Sequence, residues 1–241
     1  MRLCKWEDLP KEMQNETVRR YYDSLQRKRG ALWCKRVFDI VASAALLVVL
    51  SPVFFVLAIA IKLDSPGPVF FRQVRVTQYG KTFRIFKFRS MVSNAEKIGN
   101  QVTVSNDCRI TRIGKIIRKC RLDEISQLID VLRGTMTLVG TRPEVPKYVA
   151  QYTPEMQATL LLPAGVTSLA SICYKDESKL LEGASDVDAA YVSQVLPGKM
   201  RYNLKAIKEF SFWGDIKLLF MTVLAVLGKN VVTEERIQVE K

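Results

Sequence analysis

The sequence contains no histidine. That absence excludes serine–histidine–aspartate and cysteine–histidine catalysis and any histidine-ligated metal. Acid–base work is left to Asp, Glu, Lys, Tyr or Cys. There is also no Cys-X-X-Cys pair. The five cysteines (Cys4, Cys34, Cys108, Cys120, Cys173) are scattered and odd in number, which reads as reduced, mostly structural thiols in a cytosolic setting. Acidic residues are scarce where basic ones are dense. Residues 62–121 carry fourteen basic and three acidic residues, residues 1–36 carry ten and five, and residues 122–241 carry thirteen and fifteen. The net charge of +13 therefore arises in the first half and favours an anionic partner: nucleic acid, a phosphorylated substrate or an anionic membrane. At 241 residues, 48% hydrophobic and 25% charged, the chain can bury a real core and is neither disordered nor a multi-span membrane protein.

Charge is missing altogether from Ile40 to Ile61. A straight helix of that length reaches about 33 Å, enough to cross a bilayer core. Two features point away from a simple crossing. Ser51-Pro52 sits at the centre, where proline removes a backbone donor and kinks a helix. Both flanks are basic: Arg27, Lys28, Arg29, Lys35 and Arg36 before the run, Lys62, Arg72, Arg75, Lys81 and Arg84 after it. The preference of basic flanks for the cytoplasm then puts both ends on one side. A re-entrant helix that breaks at Ser51-Pro52, with Ser51 Oγ near the freed carbonyl, satisfies both features. A kinked single span and a buried helix of a soluble core remain the alternatives.

Asp64-Ser65-Pro66-Gly67-Pro68 is a turn sequence. Val69–Val76 and Thr82–Arg89 read as the strands of a hairpin around Gln78-Tyr79-Gly80-Lys81. Lys87 and Arg89 fall on one face of the second strand, which is either a solvated face or a phosphate contact. Residues 109–120 (RITRIGKIIRKC) place Ile113, Ile116, Ile117 and Cys120 at helical spacing among cations. Such a helix lies on a membrane, presents cations to phosphate, or simply covers a core. From Leu122, the residues Ile125, Leu128, Ile129 and Leu132 continue a helical stripe, with Asp123 and Glu124 off it near the helix start. Acids there are ordinary capping residues. As an adjacent pair after a cationic helix, they also suit a nucleophile and an Mg²⁺ ligand. Val139–Pro146 is a Gly/Pro loop carrying Arg142, suited to bidentate phosphate contact or to a surface Arg–Glu pair. Pro163-Ala164-Gly165 breaks the chain, and Lys175–Asp188 reads as a polar loop. Phe212, Trp213, Ile216, Leu219, Phe220, Val223, Leu224 and Leu227 line a helix that lies either in the headgroup region or in the core.

Taken in order, the apolar run broken at Ser51-Pro52, Phe86-Lys87-Phe88-Arg89-Ser90-Met91, Arg118 before Leu122-Asp123-Glu124, and Val139-Gly140-Thr141-Arg142-Pro143 resemble the catalytic domain of the bacterial sugar transferases, the monotopic phosphoglycosyl transferases. The likeness runs from about Lys35 to about Val149, with weaker agreement at Asp188–Val192 and Phe210–Leu224. It implies transfer of a sugar-1-phosphate from a UDP-sugar to a polyprenyl phosphate such as undecaprenyl phosphate. UMP is released through a phosphosugar–aspartyl intermediate, in the first membrane step of capsule, O-antigen, exopolysaccharide or glycan assembly. It implies Asp123 as nucleophile, Glu124 as holder of Mg²⁺, and Lys87, Arg89, Arg118 and Arg142 as phosphate or nucleotide contacts. It implies a mixed α/β, mainly helical, membrane-associated fold with surface amphipathic helices, on the cytoplasmic face of the bacterial inner membrane. The expected division is a cytosolic extension (1–36), a re-entrant helix (37–61) and the catalytic domain (62–241). Membrane lipids are expected partners, nucleic acid is not, and a homodimer is left open. The chain departs from the family pattern in having Thr141 where Pro-Arg-Pro is usual. It also reads Leu162-Pro163-Ala164-Gly165-Val166-Thr167-Ser168-Leu169-Ala170 where Arg-Pro-Gly-Ile-Thr-Gly-Trp-Ala is frequent, so the Arg, second Gly and Trp of that motif are missing. The rival functions are a non-catalytic basic membrane adaptor and a transferase that moves sugar alone and leaves UDP.

Overall fold

The computed structural model describes residues 1–93, 95, 107–174, 177–181 and 186–229. The fold is mixed α/β and mainly helical. Asn15 opens helix α1 (Glu16–Arg27) by accepting a hydrogen bond from Val18 N at 3.0 Å, satisfying one of the donors a helix start leaves free. The buried face of α1 is Val18, Tyr22 and Leu25. Together with Leu3, Leu9 and Met13 they share one core with Leu160, Leu161, Leu162 and Phe210. The N-terminal segment is thus packed into the body of the molecule.

Helix α2 runs from Arg29 to Asp64, with Pro52 inside it. It begins earlier than the apolar run, and the chain stays helical through Ser51-Pro52. The reason is local. Pro52 cannot donate to Val48 O, and Ser51 Oγ donates to that carbonyl instead at 2.8 Å, so the missing backbone bond is replaced. One face of α2 lies along the body. Phe38, Ala42, Leu47 and Leu50 pack on the core of Ile85, Leu128, Val131 and Met136, and Val53, Phe54, Leu57 and Ile61 pack on Phe88 and Ile117. The other face exposes Val41, Val48, Val49, Phe55, Val56 and Leu63. Only 11% of its most apolar window is buried, far too little for the core helix of a soluble domain. The residues that flank its uncharged run are bonded to the same body. Asp39 accepts from Thr137 Oγ1 (2.5 Å) and Leu138 N (3.3 Å), and Asp64 accepts from Ile113 N (3.0 Å).

Strands β1 (Phe70–Val76) and β2 (Thr82–Phe88) form the expected antiparallel hairpin, with Phe71 opposite Lys87 and Arg75 opposite Phe83. Helix α3 (Arg112–Lys119) follows, capped by Thr111. Ile117 is buried and Ile113 half-buried, while Ile116 is exposed, so the expected apolar stripe is split between core and surface. Helix α4 (Leu128–Arg133) leads into β3 (Met136–Val139), which pairs in parallel with β4 (Ala164–Thr167). Helices α5 (Leu196–Lys208) and α6 (Phe212–Val226) close the described chain. No residue of α6 is buried, and Trp213, Phe220 and Val223 are exposed, which removes the core-helix alternative. The polar stretch 175–188 lies outside the described residues at 175–176 and 182–185. No disulfide joins the cysteines among the described residues, and Cys34, Cys108 and Cys120 are exposed.

Candidate active site

The Leu122–Leu132 stripe is not one α-helix. Leu122–Gln127 is a 3₁₀ turn, and the α-helix starts only at Leu128. Its entry is set by Arg121, which adopts a left-handed backbone (φ 56°) after α3. That conformation ends helices and is costly for a residue with a Cβ. The tighter turn places Asp123 and Glu124 in the body, with Asp123 8% exposed, and not as solvated caps.

Two cations converge on Glu124. Arg142 binds it bidentately, Nη1 donating to Oε2 at 3.0 Å and Nη2 donating to Oε1. Lys87 Nζ donates to Oε1 at 3.0 Å. Arg142 reaches this position from the loop after β3. There Gly140 N donates to Thr167 O (2.9 Å) and Gly165 N donates to Thr141 O (2.8 Å). A Cβ on Gly165 would stand 2.2 Å from the Gly140 backbone, so only glycine lets the loop lie this close to β4. Burial alone would raise the Glu124 carboxyl. Arg142 and Lys87 overturn it and hold the group well below the usual carboxylate range. At Asp123 burial wins over the attraction of Lys87, and the carboxyl is pushed up. The Asp123 carboxylate makes no hydrogen bond among the described residues.

Asp123 lines a cavity of about 440 Å³ whose other charged wall residues, among those described, are all cations: Arg72, Arg75, Lys87, Arg89, Arg109 and Arg118. Arg118 is half-buried, and its guanidinium makes no hydrogen bond or ion pair among the described residues. Arg109 is paired with Asp107 at 2.6 Å. Arg75 donates to Gln73 Oε1 and, at 3.1 Å, to Pro143 O. The sequence reading missed Arg72, Arg75 and Arg109. The hairpin register held the signal for Arg75, because its partner Phe83 and Lys87, two pairs along, share its face.

Arg89 is the exception among the expected phosphate contacts. It is 4% exposed. Its guanidinium donates to Ser65 O (2.6 Å), Pro66 O (2.8 Å) and Ile61 O (3.3 Å). It caps the end of α2 and the turn after it, away from Glu124, because β2 ends at Phe88 and the strand alternation with Lys87 stops there. Arg89→Ala is expected to destabilise the fold by about 3 kcal/mol, since it strands buried carbonyls. Thermal unfolding in detergent, melting several degrees below wild type, checks this.

Acid titration gives a second expectation. The Glu124 carboxyl ionises more readily in the folded chain than in the unfolded one. Its contribution is therefore complete above the unfolded value of about 4.3 and is lost as the pH falls toward the lower folded value. The melting temperature of Glu124→Gln is expected to fall less steeply than that of wild type between about pH 5 and pH 3.

Among the described residues no group of three or more Cys, Asp or Glu could hold a metal ion. Glu124 Oε2 accepts one hydrogen bond, from Arg142, and keeps a second acceptor position. That donor set fits Mg²⁺ only as an ion held mainly by phosphate oxygens and water, with one protein carboxylate, which is a common arrangement for this cation.

A family model described as bacterial sugar transferase matches residues 30–229. The chain belongs to the bacterial sugar transferase family. It is 37% identical to a UDP-N-acetylgalactosamine-undecaprenyl-phosphate N-acetylgalactosaminephosphotransferase of Aeromonas hydrophila, over 80% of this chain and 43% of that one. It is 38% identical to a UDP-glucose:undecaprenyl-phosphate glucose-1-phosphate transferase of Escherichia coli (strain K12), over 78% and 39%. It is 36% identical to exopolysaccharide production protein PSS of Rhizobium leguminosarum bv. phaseoli, over 81% and 96%. The chain thus spans about two fifths of the length of the first two relatives. Within the bacterial sugar transferase match, the departure at Leu162–Ser168 falls on β4 and keeps the glycine that meets Gly140. The residues before Gly30 lie outside the match.

Proposed function

We propose that this bacterial sugar transferase moves a sugar-1-phosphate from a UDP-sugar to undecaprenyl or another polyprenyl phosphate. The observation that carries the reading is the unpartnered Asp123 carboxylate in a cavity whose other charged wall residues, among those described, are cations. A carboxylate needs no base at neutral pH, so the lack of histidine costs the chemistry nothing. Asp123 attacks the sugar-bearing phosphorus. An acyl-phosphate O–P bond forms, the bond to the bridging oxygen breaks, and UMP leaves with that electron pair. An oxygen of the polyprenyl phosphate then attacks the same phosphorus, giving a polyprenyl diphosphate sugar and restoring the carboxylate. Lys87 and Arg118 offset the charge that builds on the transferring phosphate. Arg142 and Lys87 hold Glu124 ionised and fixed. Mg²⁺, when bound, supplies further neutralisation of the diphosphate beside Glu124.

The same proposal places the body on the cytoplasmic side with α2 re-entrant. Its support is that the body packs along α2 from Phe38 to Ile61 and bonds the residues that flank its uncharged run. A simple span would draw that body's charges into hydrocarbon. Exposed Trp213 and Phe220 on α6 suit the headgroup level. Cysteines introduced at either end of α2 are expected to react only from the cytoplasmic side, and Pro52→Ala is expected to move one end across. Labelling of the wild-type ends from opposite sides contradicts the topology.

The reaction is tested by nucleotide release with undecaprenyl phosphate, Mg²⁺ and a panel of UDP-sugars. Lipid-dependent UMP supports the proposal. UDP marks a transferase that moves sugar alone, and no nucleotide release with any donor marks the adaptor.

A further inference from the structure

A second charged cluster is buried behind the site and takes no part in the steps above. Glu144, two residues after Arg142, is 6% exposed, and its Oε1 accepts from Tyr191 OH at 2.6 Å and from Lys199 Nζ at 3.1 Å. Lys199 also donates to the Tyr191 hydroxyl at 2.8 Å and meets Glu177 at 3.2 Å. Tyr191 opens a π-helical turn, Tyr191–Val195, a rare form often found at functional sites. Its ring lies against Tyr148 at 4.6 Å.

Stability alone accounts poorly for such a cluster. A buried ion pair is often no better than apolar residues of the same volume. Its position is more telling. The other anchors given for the Arg142 loop hold its backbone: Gly140 N to Thr167 O at 2.9 Å, Gly165 N to Thr141 O at 2.8 Å, Arg75 Nη1 to Pro143 O at 3.1 Å, and Val76 N to Glu144 O at 2.9 Å. These fix where the loop lies. The Glu144 side chain fixes it from within, across 47 and 55 residues of sequence.

We propose that Glu144, Tyr191 and Lys199 are positioning residues that hold the Arg142 loop in register, so that Arg142 fixes the Glu124 carboxylate beside Asp123. None of the three residues lines the cavity, so the cluster acts through the loop that carries Arg142 and not on substrate. Its catalytic consequence rests on the phosphoglycosyl transfer proposed above. Its structural consequence does not.

The test uses the full chain in detergent and Tyr191→Phe, which removes one hydroxyl and keeps the stacked ring. Lys199→Met would leave Glu144 buried without its cation and threatens folding. Tyr191→Phe is expected to lower kcat about tenfold, with donor KM within about twofold and a melting temperature lower by only a few degrees. In an Arg142→Ala background the same change is expected to cost nothing further, because residues acting through one another are not additive. Full activity of Tyr191→Phe, or the same tenfold loss in both backgrounds, overturns the proposal. Amide hydrogen exchange decides the structural consequence without turnover. Residues 121–127 and 139–145 are expected to exchange faster in Tyr191→Phe than in wild type. If wild type releases no UMP, the transfer reading fails. The positioning reading then stands on faster exchange and falls on unchanged exchange.

Discussion

Asp123→Asn is expected to reduce UMP release by about 10³-fold or more, because the proposed reaction loses its nucleophile and no neighbour replaces it. Asn keeps the shape of the side chain but offers a neutral amide in place of a carboxylate. Asp123 makes no side-chain hydrogen bond among the described residues, so the change breaks no internal bond. Its burial already pushes the carboxyl up, which means that the charged form is held in the body at some cost. Removing that charge is expected to leave the melting temperature equal to or above that of wild type. A dead and equally stable enzyme separates a chemical role from a structural one. A dead and unfolded variant does not, and the melting curve is therefore measured beside the rate.

Arg142→Ala is expected to have the opposite profile, costing both stability and rate. Its guanidinium is the bidentate partner of Glu124, whose side chain is only 14% exposed. Removing one partner of a buried pair leaves the other charge uncompensated, typically at about 3–5 kcal/mol. Here Lys87 remains at 3.0 Å and softens the loss, so about 2–3 kcal/mol is expected. The rate is expected to fall about 10²-fold as Glu124 loses its fixed position. Arg142→Lys is expected to restore charge but not the fork, and so to recover stability more than rate. Thermal unfolding and initial rates of the two variants, read together, check the distinction. Equal rates in Arg142→Ala and wild type contradict the role.

Much of the fold was legible because it rests on local periodicity. The expected strands Val69–Val76 and Thr82–Arg89 differ from the observed Phe70–Val76 and Thr82–Phe88 by one residue at one end each. The basic helix and the C-terminal amphipathic helix also lie where their spacing put them. What was illegible depends on contacts distant in sequence or on one residue's backbone. A left-handed Arg121 turned a helical stripe into a 3₁₀ turn, and no hydrophobic pattern reports that. Arg89 looked like the strand companion of Lys87, yet it stands one residue past the strand and turns to the end of α2. At Ser51-Pro52 the serine hydroxyl takes the carbonyl that the proline leaves without a backbone donor. The site was legible in its parts: Asp123, Glu124, Lys87, Arg118 and Arg142 could each be singled out. That Arg142 spends its fork on Glu124, and that Lys199 meets Glu144 55 residues away, follows only from the folded chain.

The central claim is that Asp123 carries the sugar phosphate between donor and acceptor. Intact-protein mass spectrometry after incubation with a UDP-sugar and Mg²⁺, without lipid acceptor, tests it most directly. The account predicts a mass gain of one sugar phosphate, absent in Asp123→Asn and discharged when undecaprenyl phosphate is added. Turnover to UMP that requires the acceptor from the start, with no adduct at any time, would contradict it.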